Sequence, residues 1–367
     1  MTSFEGRVGI VQRVLPQYRA GFFDLLAAQC KGGLGVFAGF PRPNEHIPSA
    51  EKLNLAKWTH AQNQHMFGGP LYLCMQKGLI EWLDDLEPDV LIVEANPRYV
   101  STPAAIETMK YRLRPVIGWG LGSRKPRGSF SGLRILWRKS FLKQFDAMIA
   151  YSQRGAAEYR ELGVSAERVF IAPNAVAQRP NKNIPKREKK AVNKLTLLFV
   201  GRLQPRKRLD ALLHVCSSLP IEHQPVMQIV GDGPAMADLK RLAQRIYPKA
   251  EFKGAKFGDD LDELFDKADL FILPGTGGLA IQQAIAHGLP IIAAEGDGSQ
   301  EDLVGPENGW LINPNDDSAL RNTLSDALSS PERLRKMGKK SFELVQSKFN
   351  LENMVEAFIN AINEVKA

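Results

Sequence analysis

The chain has 367 residues, 44% hydrophobic and 24% charged, which excludes a disordered or fibrous class and is enough for two ordinary domains, each with its own core. Three cysteines, Cys30, Cys74 and Cys216, have no paired spacing, so a disulfide framework and a metal knuckle are excluded and the thiols are assigned to packing in a reducing compartment. The net charge of +8 is unevenly held: residues 1–194 carry 29 Lys and Arg against 16 Asp and Glu, whereas residues 195–367 carry 19 against 24, so nucleic acid, phospholipid or plain solvation is a matter for the first half alone.

The start, MTSFEGRVGIVQ, runs from polar residues straight into a strand-like segment. No apolar stretch approaches the roughly 18 residues of a spanning helix. A cytoplasmic protein without a transmembrane helix is expected. Short apolar runs then alternate with helix-length segments, through GLGVFAGF, DVLIVEA, RPVIGW, DAMIAYS and RVFIAPN, the pattern of βα units around a mostly parallel sheet. Arg13, Tyr18, Arg19 and Gly21 fall after the first strand, where a phosphate or an acceptor would sit, or where a plain loop and helix start would serve. His46, His60 and His65 lie in a polar stretch read as mobile, without carboxylate or thiol neighbours at ligand spacing, so no metal site is expected.

From Thr108 to Phe145 there are ten Lys or Arg and not one Asp or Glu: Lys110, Arg112, Arg114, Arg124, Lys125, Arg127, Arg134, Arg138, Lys139 and Lys143. Within this run FSGLRILWRKSFLKQF reads as a helix mixing Phe130, Leu133, Trp137 and Phe141 with Arg134, Arg138, Lys139 and Lys143. That is the composition of an interfacial helix on anionic lipid, although the apolar face is equally compatible with ordinary core. Nucleic acid is not expected, because aromatic residues are not interleaved on strand patterns.

Residues 181–194, NKNIPKREKKAVNK, are charged and Pro-broken and read as a linker. A second series follows with LTLLFV, VMQIVG, DLFILP and LPIIAA. From residue 316 the chain reads as helical, near 316–329, 331–347 and 350–365, with Asn350 as N-cap and Glu352 in the first turn. The fold class expected is α/β, two Rossmann-like doubly wound domains facing a cleft. Their bounds are 1–180, the linker 181–194, a second domain 195–347 and a terminal segment 348–367.

Two motifs carry chemistry. After the strand LTLLFV comes GRLQPRKRLDALL: Gly201 turns the chain tightly, and Arg202 and Lys207 stand where a doubly wound sheet offers its ligand crevice. A guanidinium fork and an ammonium point charge suit a pyrophosphate, while Arg206 and Arg208 in the same run allow a solvated basic turn instead. The second motif is LFILPGTGGLAIQQAIAHGLPIIAAE, residues 270–295. Gly275, Gly277 and Gly278 let backbone amides approach a ligand, and a helix beginning near Gly278 and Leu279 points its positive end there. A tight connection is the plainer alternative.

In order, GRLxxxK, VGDGP at Val230 to Pro234, FKG at Phe252 to Gly254, KADLFILP, AxxxGLP and NGWLINPND resemble the C-terminal domain of retaining GT-B glycosyltransferases of family four over residues 195–330. FDAMIAYSQRGAAEYRELGVSAERVFIAPNAV, residues 145–176, resembles the last units of that family's acceptor domain. The resemblance implies that Arg202 and Lys207 are the catalytic cations neutralising the donor diphosphate, with Gly201 and Gly275 in the same site. It further implies backbone around Ala255 and Lys256 beside the base, and amides from Gly277 to Leu279 around the distal phosphate and sugar. Arg19, Gly21, Trp119 and Gly120 are assigned to the acceptor side, and the last helix is expected to pack back on the first domain.

Two departures bear on activity. The family carries two glutamates eight positions apart, aligned here with Gly275 and Gln283, of which only Gln283 retains a side chain able to hydrogen-bond a ribose. Leu121 stands where a histidine is usual. The function implied is transfer of a sugar from a nucleotide-diphosphate sugar to a glycan or lipid-linked acceptor, with retention, at an anionic membrane surface on the inner face, in surface polysaccharide or glycolipid synthesis. No cofactor or metal is implied. The alternatives are a catalytically impaired nucleotide-sugar-binding partner subunit and a sugar-nucleotide epimerase.

Overall fold

Runs rich in Val, Ile and Leu that are buried on both sides make parallel strands, and the amphipathic segments between them must then cover both sheet faces. The computed structural model describes residues 2–45, 47–124, 131–188 and 190–366. It divides into two units, Met1–Val176 with Leu351–Ala367, and Ala177–Asn350.

In the first unit the chain runs β1 (Val8–Val14), α1 (Ala20–Ala27), β2 (Leu34–Gly39), β3 (Lys57–His60), β4 (Gln62–Met66), β5 (Leu73–Lys77), α2 (Leu79–Leu86), β6 (Val90–Glu94), α3 (Thr102–Tyr111), β7 (Val116–Gly120), α4 (Ser131–Leu142), β8 (Ala147–Ala150), α5 (Gln153–Glu161) and β9 (Val169–Ile171). Seven strands pair in the order β3-β2-β1-β6-β7-β8-β9, all parallel. The antiparallel hairpin β4–β5 stands apart from this sheet.

Alternation along the strands sends Val8, Ile10, Val90, Ile92, Ile117 and Trp119 to one face and Val11, Leu91, Val93 and Val116 to the other. Residues of α2, α3, α4 and α5 cover the second face. Over the first, α1 shares the work with the terminal helix α13, described below, whose Phe358 ring meets Phe22 edge-on at 4.9 Å.

The second unit runs β10 (Thr196–Val200), α6 (Leu209–Ser217), β11 (Val226–Val230), α7 (Met236–Ile246), β12 (Ala250–Gly254), α8 (Asp259–Lys267), β13 (Leu270–Leu273), α9 (Leu279–Ala286), β14 (Ile291–Ala294), α10 (Ser299–Leu303), β15 (Gly309–Ile312), α11 (Asp317–Leu328) and α12 (Pro331–Ser347). Its six strands pair in the order β12-β11-β10-β13-β14-β15, again all parallel. The last element, α13 (Leu351–Lys366), belongs to the first unit and buries Met354, Val355, Phe358, Ile359 and Ile362 there.

Three local expectations change. The stretch around His60 and His65 forms β3 and β4, because backbone pairing with β2 and β5 does not require apolar side chains on an outer hairpin; His60 stacks on Trp58 at 4.0 Å and His65 Nδ1 lies 2.9 Å from the Tyr72 hydroxyl. His46 lies outside the described residues.

Residues 181–194 fall in the second unit, strapped down by Arg187. Its guanidinium donates to the carbonyls of Ala268 (2.5 Å), Gly288 (3.1 Å), Phe265 (3.2 Å) and His287 (2.8 Å). These are carbonyls at the C-terminal ends of α8 and α9, which lack partners within their own helices. Asn350 donates through Nδ2 to the carbonyls of Val345 (2.7 Å) and Gln346 (3.4 Å), so it closes α12 as well as preceding α13.

Candidate functional site

A doubly wound sheet binds its ligand beyond the strand C-termini, at the point where strand order reverses. In the second unit that point lies between β10 and β13. The turn after β10 carries Gly201 and Arg202, and Lys207 closes the short 3-10 turn Pro205–Lys207. The turn after β13 carries Gly275, Thr276, Gly277 and Gly278, and opens into α9 at Leu279.

The two turns touch. Lys207 Nζ donates to the Thr276 carbonyl at 2.5 Å, Arg206 Nη1 to Thr276 Oγ1 at 3.1 Å, and the Thr276 amide to the Arg206 carbonyl at 3.2 Å. A side chain at Gly275 has no room, since a Cβ there would lie 2.2 Å from the Arg206 carbonyl oxygen. Gly277, at φ +147°, would bring a Cβ within 2.4 Å of Lys207 Nζ; only glycine lets the ammonium settle over this turn.

Burial is the main cause of the depressed pKa of Lys207, which falls to about 8, and Arg206 adds to the effect while Asp297 opposes it. A cation so placed is short of counter-charge beside the N-terminus of α9, where first-turn amides lack intrahelical partners. The arrangement is suited to an incoming anion.

Behind the glycine turn is a support that the sequence did not signal. Gln300, fully buried, donates through Nε2 to the Gly277 carbonyl at 2.6 Å and accepts from the Asp297 amide at 3.1 Å. Ser299 Oγ donates to Asp297 Oδ1 at 2.6 Å. The available clue was a short polar run, EGDGSQED, directly after the strand adjacent to β13.

Two further basic residues are ion-paired. Arg208, in the left-handed region at φ +55°, pairs with Asp317 at 2.7 Å and Asn315 at 2.5 Å. Lys256 is ion-paired with Asp260 at 3.0 Å on the first turn of α8. Gln283 is half-buried on α9, whereas its neighbour Gln282 is an interior brace: Oε1 accepts from the Ala177 amide at 3.0 Å and Nε2 donates to the Phe349 carbonyl at 2.7 Å.

In the first unit the residues assigned to the acceptor side all make packing contacts. Arg19 and Trp119 are 3% and 1% exposed. The guanidinium lies 4.7 Å above the indole, donates to the Tyr151 hydroxyl at 3.2 Å and reaches the Met354 sulfur of α13 at 3.9 Å. Gly120 faces the Tyr159 hydroxyl, 2.7 Å from where a Cβ would stand, and Gly21 on α1 faces Leu351 at 3.7 Å. Packing of α1 and α13 on the sheet thus surrounds Arg19, Gly21 and Trp119, whereas Gly120 is set against α5.

The basic helix α4 divides differently from its expected pattern. Phe141 and Leu142 are interior, while Leu133, Leu136 and Trp137 are 69%, 65% and 55% exposed. Arg134 and Lys143 are exposed alongside them; Arg138 and Lys139 are half-buried, and Arg138 reaches back to the Arg124 carbonyl. Lys125, Arg127 and Phe130 lie outside the described residues. No helix among the described residues is long and apolar enough to cross a membrane, and none of their His, Cys, Asp and Glu side chains group in threes able to hold a metal ion.

Comparison with known proteins agrees with the fold. The chain superposes on the Anabaena protein Alr3699/HepE in complex with UDP with a TM-score of 0.71 at 16% identity, covering 98% of this chain and 100% of that one. Against sucrose-phosphate synthase from Thermosynechococcus elongatus the TM-score is 0.70 at 18% identity, covering 98% and 99%. Two parallel-sheet Rossmann-like units of this kind define the GT-B fold of glycosyltransferases. Residues 180–344 match the family Glycosyl transferases group 1.

Among curated relatives, a GDP-mannose-dependent alpha-mannosyltransferase of Mycobacterium tuberculosis is 38% identical over 119 residues, 32% of this chain and 29% of that protein. The sulfoquinovosyl transferase SQD2 of Arabidopsis thaliana is 32% identical over 154 residues, 40% and 29%. The putative colanic acid biosynthesis glycosyltransferase WcaL of Escherichia coli is 25% identical over 228 residues, 58% and 55%. The aligned stretches thus span about half or less of these relatives.

Proposed function

We propose that the protein is a glycosyltransferase that moves a sugar from a nucleoside-diphosphate sugar to a glycan or lipid-linked acceptor with retention, in surface polysaccharide or glycolipid synthesis. The observation that carries this reading is the half-buried Lys207 ammonium seated on the glycine turn of α9. A diphosphate arriving there supplies the missing counter-charge and receives the free amides of residues 277–279, with Arg202 contributing a second cation from the turn after β10. These groups neutralise the donor without a metal.

In a front-face transfer the acceptor oxygen bonds to the anomeric carbon as the bond to the diphosphate breaks, and the departing phosphate oxygen takes the hydroxyl proton. Positioning and charge neutralisation then carry the rate, which suits a site with a glycine at 275. The same glycine favours a second reading, a subunit that binds the donor without turning it over. Label transfer from UDP-, GDP- and dTDP-sugars to lipid-linked acceptors separates the two. Activity lost in Arg202→Ala and Lys207→Ala supports the first; donor binding with no transfer to any acceptor supports the second.

The proposal includes peripheral association with an anionic membrane at its inner face. It rests on Leu133, Leu136 and Trp137 standing exposed on α4 among Arg134 and Lys143, with no acidic residue on that helix.

A further inference from the structure

The first unit has its own switch point, between β1 and β6, and a built polar cluster occupies its rim. Arg13, next to the end of β1, pairs through Nη1 with Glu45 Oε2 at 2.9 Å. Arg42 pairs with the same carboxylate, through Nη2 to Oε1 at 3.2 Å and through its amide to Oε2 at 2.9 Å. Burial works against the ionised Glu45, but hydrogen bonds from both arginines outweigh it and bring its pKa down to about 2. The Arg42 Nε is buried with no hydrogen-bond partner.

Glu94, at the end of β6, accepts from the Arg13 amide at 3.2 Å, and burial raises its pKa above the ordinary carboxylate range despite that bond. Two guanidinium groups therefore share the one carboxylate of Glu45, in surroundings where the Arg13 and Glu45 side chains are only 13% and 17% exposed. Burial and the two arginines hold His65 below its ordinary range, so it adds no charge at neutral pH.

The hairpin β4–β5 is tied to this cluster. Asn63 Nδ2 donates to the Arg13 carbonyl at 2.7 Å, Gln76 Nε2 to Asn63 Oδ1 at 3.1 Å, and the Arg42 guanidinium lies 4.9 Å from the Tyr72 ring. The tip of the same hairpin, between His65 and Tyr72, projects Phe67 and Leu71, 72% and 73% exposed. A desolvated excess of positive charge beside an exposed apolar tip matches an amphiphile with an anionic head.

We propose that this rim binds the phosphate of a lipid-linked acceptor, with Arg13 and Arg42 on the phosphate and Phe67 and Leu71 against the first part of the lipid chain. The assignment rests on the acceptor reading of the proposed function and deepens it by naming the acceptor's chemistry. Arg13 and Arg42 are positioning and binding groups in this scheme.

Calorimetric titration of the full chain with inorganic pyrophosphate, farnesyl diphosphate and farnesol tests it, with UDP and GDP titrated in parallel. Farnesyl diphosphate should bind at least tenfold more tightly than pyrophosphate, and farnesol should not register. Arg42→Gln, chosen beside Arg13→Gln because Arg42 is the more exposed of the two, should weaken farnesyl diphosphate about tenfold, and pyrophosphate less, since the donor turn at Lys207 also accepts it. The double variant Phe67→Ser, Leu71→Ser should remove only the advantage of the farnesyl chain. The proposal is overturned if farnesyl diphosphate does not bind, if its binding survives Arg42→Gln but is lost in Lys207→Ala, or if pyrophosphate binds equally well and the hairpin variant changes nothing. Failure of UDP and GDP to bind would instead reject the proposed function, whatever the farnesyl arm gives.

Discussion

At Lys207 the free protein holds an amine whose pKa, about 8, lies below the ordinary 10.5. Between those values the unfolded chain binds the extra proton, so stability should rise as pH increases through this window, and no such rise should occur in Lys207→Met. Donor binding has the opposite dependence, because a diphosphate favours the charged amine. Affinity for UDP or GDP should fall above pH 8, and binding near pH 8.5 should be accompanied by proton uptake, measurable by calorimetry in buffers of different ionisation enthalpy.

Gly277→Ala is the companion test at this scale: the new methyl meets Lys207 Nζ at a positive φ, a strain of about 1–3 kcal/mol. Expected is at least tenfold weaker nucleotide binding with the fold retained by circular dichroism. The candidate residues Gly201, Arg202 and Lys207 were legible because a glycine and two cations followed a strand. Gln300 was not, because a buried glutamine that braces a distant turn leaves no pattern along the chain.

Elements show how composition misleads when it is read without contacts. The charged stretch 181–194 has the make-up of a free linker, yet Arg187 satisfies four carbonyls at the ends of α8 and α9. Arg187→Ala should destabilise the second unit by about 2–3 kcal/mol, read as a shift in its urea midpoint; a shift below 0.5 kcal/mol would show that water replaces the guanidinium at little cost. The helix α4 combines two readings that its sequence could not separate, with Phe141 and Leu142 turned to the core and Leu133, Leu136 and Trp137 turned out. Trp137→Glu with Leu133→Glu should abolish binding to vesicles rich in anionic lipid while leaving nucleotide affinity unchanged, and raising salt should weaken the wild-type binding. Polar hairpins such as β4–β5 escape periodicity altogether, since their order comes from backbone pairing and from anchors such as Asn63 and Gln76.

For the molecule as a whole, α13 is the decisive addition. It covers the sheet face that α1 leaves open, and its Phe358 packs against Trp119 at 4.9 Å. A chain ending at Asn350 should lose the cooperative unfolding of the first unit and expose apolar surface, detected by dye binding and aggregation, while a fragment of Ala177–Asn350 retains nucleotide binding. Strand succession, helix spacing and the glycine and lysine motifs are local properties, so the sequence alone determined the α/β class, the two parallel sheets and the place of the glycine-rich and basic turns. The touching of two turns 70 residues apart, the burial that lowers the Lys207 pKa, the inward placement of Arg19 and Trp119 and the charge excess around Glu45 depend on contacts between remote segments. Those were decided only by the tertiary structure, because burial and electrostatic strength are set by what surrounds a group in space and not by its neighbours along the chain.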